Sequence, residues 1–184
     1  MNCTIRKYIF FLVLTIIGLP AFAQQVPVNI YPTPQYVKVN SNELLSVSGL
    51  DIKGTLAADL KVALMKAFPG SAATTKLPLS ITKLVKGKSV RGAYNLSIKP
   101  QSITIEANDD AGVFYAIQTL TQLRQSITAS ACQLPLLSIS DFPDVAVRGS
   151  VEGFYGEPWS HADRLSQFRF YGQLKLNTYI YGPK

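Results

Sequence analysis

The sequence predicts an α+β domain over residues 24–144, followed by a βαβ unit over residues 145–184. In the first part, short segments of alternating polar and apolar residues precede a helical pattern. The second part has the order strand, loop, helix, strand within about 35 residues, which suits one βαβ unit. Between the two parts, Phe142-Pro143-Asp144 is a linker-like break.

The first 23 residues have the pattern of a secretory signal peptide. Arg6 and Lys7 precede the apolar run Tyr8–Leu19, and Ala21-Phe22-Ala23 forms a small-x-small cleavage site ahead of Gln24. The apolar run is about half of the roughly 20 residues that a membrane-spanning helix requires. We therefore expect the mature chain to be exported, periplasmic or extracellular, without a membrane anchor.

Charge and residue types exclude several kinds of site. Removal of Arg6 and Lys7 takes two of the 18 basic residues and leaves 16 against 11 acidic residues. After processing, Cys132 is the one cysteine and His161 the one histidine, which excludes an intrachain disulfide, a cysteine-rich zinc site and a histidine metal site. No metal or other cofactor is expected. The densest basic group, in which no aromatic residue is interleaved, is interpreted as a solvated loop rather than a nucleic-acid site; it comprises Lys83, Lys86, Lys88 and Arg91.

The strands of the first domain are predicted from period-two alternation. Tyr94, Leu96 and Ile98 alternate with polar residues, as do Ile103 and Ile105 after a turn at residues 99–101, which predicts a hairpin with one buried face. The predicted strands are Tyr36–Val39, Leu44–Val47, Leu79–Thr82, Ala93–Ile98 and Ser102–Ala107.

Two helices are predicted in the same domain, at Thr55–Phe68 and at about Ala111–Gln125. Asn108-Asp109-Asp110 precedes the second helix. Adjacent aspartates can serve glycoside chemistry, but a helix start needs acceptors for its free amides and favours negative charge. We therefore interpret Asp109 and Asp110 as a helix cap.

In the second unit we predict a strand at Val147–Glu152, a loop at Phe154–Ser160, a helix at Ala162–Leu174 and a strand at Thr178–Tyr181. Ser160 and Asp163 have the spacing of a capping box for that helix. Doubly wound sheets and barrels both begin with such a unit and both place ligands at the carboxyl ends of the strands.

The loop after the first of these strands has the composition of a sugar site. Gly153 lets the backbone approach a ligand, and Tyr155 and Trp159 offer flat apolar faces with a polar handle. A sugar ring has apolar faces and a hydroxyl rim, which such residues complement. The G-x-G-x-x-G pattern of a dinucleotide site is absent from the sequence.

Two segments of the second unit carry a family resemblance. VEGFYGEPWS at Val151–Ser160 and LNTYIYGPK at Leu176–Lys184 resemble glycoside hydrolase family 84, the O-GlcNAcases and hyaluronidase-like β-N-acetylglucosaminidases. The preceding domain resembles, more loosely, the non-catalytic N-terminal domain of bacterial β-hexosaminidases. The resemblance implies that residues 145–184 begin a (β/α)8 barrel. It also implies hydrolysis of terminal β-linked N-acetylglucosamine, on a glycan or glycoprotein, with retention and with the substrate's own acetamido group as nucleophile.

The resemblance also implies roles for particular residues. Gly153 would contact sugar hydroxyls through its backbone, Lys184 would donate to a ring hydroxyl, and Tyr155 would help to wall the pocket. The family's catalytic pair of adjacent aspartates would lie beyond Lys184, so no catalytic residue is assigned in this chain. Glu152 is expected to fix loop amides or to pair with a basic residue, and His161 to be a surface or capping residue.

A complete barrel takes roughly 250 residues, whereas only 38 follow from Val147 onward. The chain is therefore expected to be an N-terminal fragment that is inactive alone, with Val151 and Ile180 deprived of the layers that would bury them. Two alternatives stay open: a stand-alone secreted module that binds carbohydrate or protein without catalysis, and a fragment of a family 20 β-hexosaminidase. The oligomeric state is also open.

Overall fold

The computed structural model describes residues 28–68, 76–83, 90–125, 132–153 and 158–182. Within these ranges the chain forms two units, a six-stranded sheet that carries two helices and a two-stranded sheet that carries one. The predicted signal peptide lies outside the described residues, as do Lys86 and Lys88 of the predicted basic loop. In the described ranges, no helix combines the length and the hydropathy that crossing a membrane requires.

The first unit is an α+β domain, as the sequence predicts. Its elements are β1 Tyr36–Ser46, β2 Leu50–Lys53, α1 Ala58–Ala67, β3 Leu77–Lys83, β4 Tyr94–Lys99, β5 Ser102–Ala107, α2 Asp110–Gln125 and β6 Gln133–Asp141. The strands lie in the order β1-β6-β4-β5-β3-β2. Pairing is antiparallel from β1 to β5, whereas β5, β3 and β2 run parallel.

The hydrophobic core of this domain lies between one face of the sheet and the two helices. Leu96 on β4 and Ile105 on β5 are register partners and are buried, whereas Asn95 and Ser97 alternate with the buried residues and are partly exposed. The predicted hairpin is confirmed, and its register is strongly specified because a slip of one residue would expose the whole apolar set. Helix α2 contributes Ile117, Leu120 and Leu123 to the same core.

Two features of the sheet differ from the sequence prediction. The strands predicted at Tyr36–Val39 and Leu44–Val47 form one strand, β1, with a register irregularity between Val39 and Leu44, because both parts pair with β6. Strands β2 and β6 were not predicted. Strand β6 lies between two neighbours and buries successive residues from Leu134 to Leu137, so it lacks the alternation on which the prediction relied.

The second unit has the predicted order and consists of β7 Gly149–Glu152, α3 His161–Gln173 and β8 Thr178–Tyr181. Strands β7 and β8 are parallel. The predicted capping box is confirmed, because the Ser160 hydroxyl accepts the Asp163 amide while the Asp163 carboxylate accepts the Ser160 amide. The unit exposes much of its apolar surface. Val151 is 65% and Ile180 54% exposed, as expected, and α3 has no buried residue.

A buried polar network joins the two units. Lys175, which precedes β8, is 5% exposed, and its ammonium donates to Asp141 Oδ2 at 2.8 Å and to the Tyr94 hydroxyl at 2.9 Å. The Tyr94 hydroxyl also donates to Asp141 Oδ2 and lies 2.6 Å from Thr119 Oγ1. Burial lowers the pKa of Lys175, against the opposing effect of Asp141, and raises the pKa of Tyr94 well above its usual range.

Arg148 completes the junction from the amino end of β7. Its guanidinium donates to the Tyr115 hydroxyl at 2.9 Å and to the carbonyl oxygens of Lys175 and Val145. The backbone of Arg148 also exchanges hydrogen bonds with Asn177, whose side chain accepts the Arg148 amide at 2.9 Å. Because Arg148 uses its amide in this way, β7 begins at Gly149 rather than at the predicted Val147.

Candidate functional site

The predicted sugar-binding loop begins at the carboxyl end of β7. Glu152 is the last residue of that strand and is the register partner of Tyr181, the last residue of β8. Gly153 follows Glu152 and is exposed. Trp159, which precedes the helix cap Ser160, has a residue exposure of 39%.

The structure describes one of the three predicted substrate-contact residues. Gly153 lies at the edge of the sheet where β7 and β8 both end. Tyr155 and Lys184 lie outside the described residues, so their predicted roles stay predictions.

Glu152 is the best-anchored side chain of this edge. Its side chain is 4% exposed, and its two oxygens accept hydrogen bonds from Arg164 of α3, from Nε at 2.8 Å and from an Nη atom at 2.7 Å. This is the two-pronged geometry in which a planar guanidinium matches a carboxylate. The Tyr179 hydroxyl of β8 donates to the same carboxylate. Of the two roles expected for Glu152, pairing with a basic residue is confirmed.

These donors decide the charge of Glu152. The hydrogen bonds from Arg164, supported by the hydrogen bond from Tyr179, lower the pKa of Glu152 to about 2 although burial acts in the opposite direction. Burial and the Glu152 carboxylate raise the pKa of Tyr179. Glu152 is therefore ionised at neutral pH and cannot serve as a general acid, which must carry a proton at the working pH.

Aromatic rings surround the Glu152–Arg164 pair. The Arg164 guanidinium carbon lies 4.9 Å from the centroid of the Tyr181 ring, within the range of a cation–π contact. The Phe168 and Tyr179 rings meet edge to face, with centroids 4.7 Å apart. These two contacts link α3 to β8, so the helix and the ends of both strands form one cluster.

The other titratable candidates from the sequence, Asp109 and His161, lie at helix starts. The Asp109 carboxylate accepts the Gly112 amide at 2.8 Å, which confirms the predicted cap of α2, and it also accepts the Gly92 amide. His161 is the first residue of α3 and is exposed. Among the described residues, no group of three or more His, Cys, Asp or Glu side chains could hold a metal ion.

Sequence reasoning missed the partners of the buried charges. Arg164 follows Glu152 by 12 residues, and Tyr179 follows it by 27. The capping box did fix the start of α3, and this places Arg164 in the first turns of the helix, near the strand end. No comparable local signal points to Lys175 and Asp141, because they come from different units of the chain.

Comparison with protein families divides the chain at the same place as the structure. Residues 27–142 match the family model described as glycosyl hydrolase family 20, domain 2. Residues 148–184 match the model described as β-N-acetylglucosaminidase. The first match corresponds to the α+β domain and the second to the βαβ unit with Arg148.

Individual relatives show the same division. An N,N'-diacetylchitobiase of Vibrio harveyi is 34% identical over 133 residues, which are 68% of this chain and 15% of that protein. The protein O-GlcNAcase of Rattus norvegicus is 53% identical over 36 residues, which are 20% of this chain and 4% of that protein. The solved structure of CpGH84B superposes with a TM-score of 0.74 at 29% identity, over 86% of this chain and 30% of the other. The chain thus spans a small part of the length of each relative.

The resemblance to family 84 needs a correction. We expected family 84 to be the main relationship and family 20 an alternative, but the longer match is to family 20 and the O-GlcNAcase likeness covers 36 residues. The family 20 interpretation therefore fits at least as well. The motif at residues 151–160 is short and distinctive, whereas the similarity of the first domain to known proteins is spread over many positions. The motif was therefore given too much weight. The chain belongs to glycosyl hydrolase family 20 through its domain 2, and its relatives are glycoside hydrolases of the β-N-acetylhexosaminidase type.

Proposed function

We propose that this chain is the amino-terminal part of an exported β-N-acetylglucosaminidase that removes terminal β-linked N-acetylglucosamine with retention. One observation carries the proposal. The residues that match the β-N-acetylglucosaminidase family model coincide with a parallel βαβ unit whose strands end together at Glu152 and Tyr181. Enzymes built from such units, barrels above all, assemble their active sites from loops at this edge. In this proposal, β7, α3 and β8 are the first unit of a (β/α)8 barrel.

The residues proposed to contact the substrate come shortly after the ends of β7 and β8 in the sequence. Gly153 offers an exposed backbone directly after β7. Tyr155 comes three residues after Glu152, and Lys184 three residues after Tyr181. In this proposal Tyr155 walls the pocket and Lys184 donates a hydrogen bond to a ring hydroxyl.

The proposed reaction is assisted by the substrate. The oxygen of the 2-acetamido group attacks the anomeric carbon, the bond to the leaving oxygen breaks, and a general acid protonates that oxygen. Water then opens the cyclic intermediate, and the second inversion restores the original configuration. The family 84 resemblance implies that an Asp-Asp pair beyond Lys184 supplies the acid and orients the acetamido group, and Glu152, which is held ionised, is not that acid in this proposal.

For the catalytic part, family 20 is a candidate that fits at least as well as family 84, given the match over residues 27–142 and the likeness to the V. harveyi chitobiase. The two candidates differ in preferred substrate rather than in the bond that breaks. Turnover of diacetylchitobiose and of a glycopeptide bearing O-linked N-acetylglucosamine should be compared in the protein extended beyond Lys184 along its coding DNA. Faster turnover of the disaccharide favours family 20, and faster turnover of the glycopeptide favours family 84.

Activity measurements test the proposal directly. We expect no turnover of a chromogenic N-acetylglucosaminide by the purified 184-residue chain and measurable turnover by the extended protein. In the extended protein, Lys184→Ala should lower kcat/KM about 10- to 100-fold, because a hydrogen bond from a charged group contributes about 1.5–3 kcal/mol. Lys99→Ala, at an exposed lysine of β4, is the matched control and should leave kcat/KM unchanged. An inactive extended protein would favour a binding module without catalysis.

Export is tested separately. When the protein is expressed with its first 23 residues, the secreted form should begin at Gln24, as determined by N-terminal sequencing. Retention of Met1 in the secreted or membrane fraction would contradict this part of the proposal.

A further inference from the structure

We propose that the groove between helices α1, α2 and α3 binds an acidic saccharide through three basic side chains that meet there. The choice of a saccharide rests on the proposed function, because the parent enzyme would act on glycans. The presence of an anion-binding groove does not depend on it. The lining of this cationic groove includes Lys66, Phe114, Gln118, Arg124, Phe168 and Arg169.

Each helix contributes one basic side chain to the cationic groove. Lys66 lies in the last turn of α1, Arg124 in the last turn of α2, and Arg169 on α3. The helices come from both units of the chain, so the groove exists only when the α+β domain and the βαβ unit are packed together. Its volume of about 590 Å³ lies within the range of about 300–1,000 Å³ that is typical of small-molecule sites.

The three positive charges have no counter-charge in the groove. Among the described residues no carboxylate lines it, and the two ion pairs of the described part of the chain involve other residues. Residues 69–75 and 126–131, which follow α1 and α2 in the sequence, contain no Asp or Glu. An anion between the helices is therefore attracted by all three cations and repelled by no neighbouring carboxylate.

Arg124 gives a second, independent indication of a ligand. Its guanidinium carbon lies 5.9 Å from the centroid of the Phe68 ring, and its Nε atom is buried without a hydrogen-bond partner in the described structure. A buried donor without an acceptor is destabilising, and such donors are rare in native proteins. Because Arg124 also lines the groove, an oxyanion there can accept hydrogen bonds from its guanidinium.

Helix dipoles explain only part of this arrangement. A cation in the last turn of a helix is stabilised by the negative end of the dipole, which accounts for Lys66 and Arg124. The dipole does not account for Arg169, because the last turn of α3 contains no basic residue. It also does not require that cations of three helices face one cavity. Their convergence favours a binding role.

The remaining lining suits a sugar that carries an acidic group. The Phe114 and Phe168 rings offer apolar surface, Gln118 offers an amide, and the Thr121 hydroxyl donates to the Ile117 carbonyl at 2.8 Å and can still accept a hydrogen bond. A sugar ring has apolar faces and a hydroxyl rim, which such residues complement. A carboxylate or a sulfate on the sugar would supply the negative charge.

Calorimetric titration of the 184-residue chain tests the proposal. The acidic probes are a disaccharide of glucuronate and N-acetylglucosamine, and N-acetylglucosamine 6-sulfate; the neutral control is diacetylchitobiose. At least one acidic probe should bind about tenfold or more tightly than the neutral control, and the better acidic probe identifies the preferred oxyanion. Equal affinity for all three would overturn the proposal, as would an affinity for inorganic sulfate that matches the acidic sugars.

Charge variants identify the groove as the binding site. Arg124→Gln should weaken binding of the better acidic probe about 10- to 100-fold, because a hydrogen bond to a charged group is lost. Lys99→Gln removes the same charge at an exposed lysine outside the groove and should leave the affinity unchanged. Equal effects of the two variants would show a response to net charge alone and would overturn the proposal.

A second groove variant avoids a loss of packing. Arg169 is exposed on α3, so Arg169→Glu should leave the far-UV circular dichroism unchanged and weaken binding about tenfold by placing a like charge beside the anion. If Arg124→Gln does not fold, Arg169→Glu decides the matter. Full affinity in folded Arg169→Glu would overturn the proposal.

The extended protein separates this proposal from the proposed function. The better acidic probe should bind the extended protein with the same affinity as the 184-residue chain. Loss of binding on extension would show that the added chain covers the cationic groove and would overturn the proposal for the whole enzyme. Binding without turnover of a chromogenic N-acetylglucosaminide would refute the proposed function and leave the anion-binding groove established.

Discussion

Two buried ion pairs lie at opposite ends of the βαβ unit and differ in their geometry. Glu152 and Arg164 meet at 2.7 Å beside the carboxyl ends of β7 and β8. Lys175 and Asp141 meet at 2.8 Å on the amino side of β8, where the unit contacts the α+β domain. Arg164 offers a planar fork that matches both carboxylate oxygens, whereas Lys175 offers a single ammonium that it shares with Tyr94.

The surroundings of the two pairs shift the pKa of the buried group in opposite senses with respect to its charged form. The donors around Glu152 outweigh its burial, so its pKa is low and the charge is stable. Burial of Lys175 outweighs the attraction of Asp141, so the pKa of Lys175 is lowered and its charged form is destabilised. The first pair ties α3 to the end of β7, and the second joins the two units.

The largest effect is expected when the domain junction is broken. Lys175→Met leaves Asp141, whose side chain is 12% exposed, without its counter-charge. Removal of one partner of a buried pair costs about 3–5 kcal/mol, and we expect a loss of this size in the free energy of unfolding by urea at pH 7. Lys99→Met serves as the exposed control. Adding Asp141→Asn to Lys175→Met should recover much of the loss; a loss below about 1 kcal/mol for Lys175→Met would show that the junction contributes little.

An acid titration sharpens the comparison at the other pair. The pKa of Glu152 in the folded chain is about 2, below the ordinary value of 4.5, so its contribution to stability is complete above pH 4.5 and is lost as the pH falls through about 2. Trp159 fluorescence should therefore be constant from pH 7 to about 4 and change below it, with far-UV circular dichroism to detect global unfolding. The Glu152→Gln variant should lack this transition. A midpoint near 4.5 in the wild type would contradict the contacts around Glu152.

The smallest effect concerns the packing of α3 on α2. A Cβ atom at Gly172 would lie 3.2 Å from the Phe114 ring, which is partly buried and borders an open groove, so the ring can shift by a few tenths of an ångström. Alanine is favoured over glycine within a helix by about 1 kcal/mol. Gly172→Ala should therefore stabilise the chain by up to about 1 kcal/mol in the same urea experiment. Destabilisation would show that Phe114 is rigidly held at the junction.

The predictable parts of the fold are those with a local signal. Strands β4 and β5 were predicted because one face is buried, and α3 because Ser160 and Asp163 form a capping box. Strand β6 was not predicted, since its apolar residues are consecutive and periodicity cannot distinguish such a run from other buried segments.

The candidate site was predictable only in part. The loop composition pointed to Gly153, and the position of Glu152 at a strand end indicated a pairing role without naming its partner. Arg164 could not be named, because its contact with Glu152 depends on how α3 packs against β7 and β8. The weight of family 20 relative to family 84 was also misjudged from short motifs, since the resemblance of a domain is spread over many weakly informative positions.

The sequence by itself determined most of the local elements, because caps and alternation act over a few residues. Only the tertiary structure decided which charges meet. Lys175 and Asp141 are 34 residues apart, and Lys175 and Tyr94 are 81 apart. Such contacts arise from the packing of whole elements, and the burial that sets their charge exists only after that packing has formed.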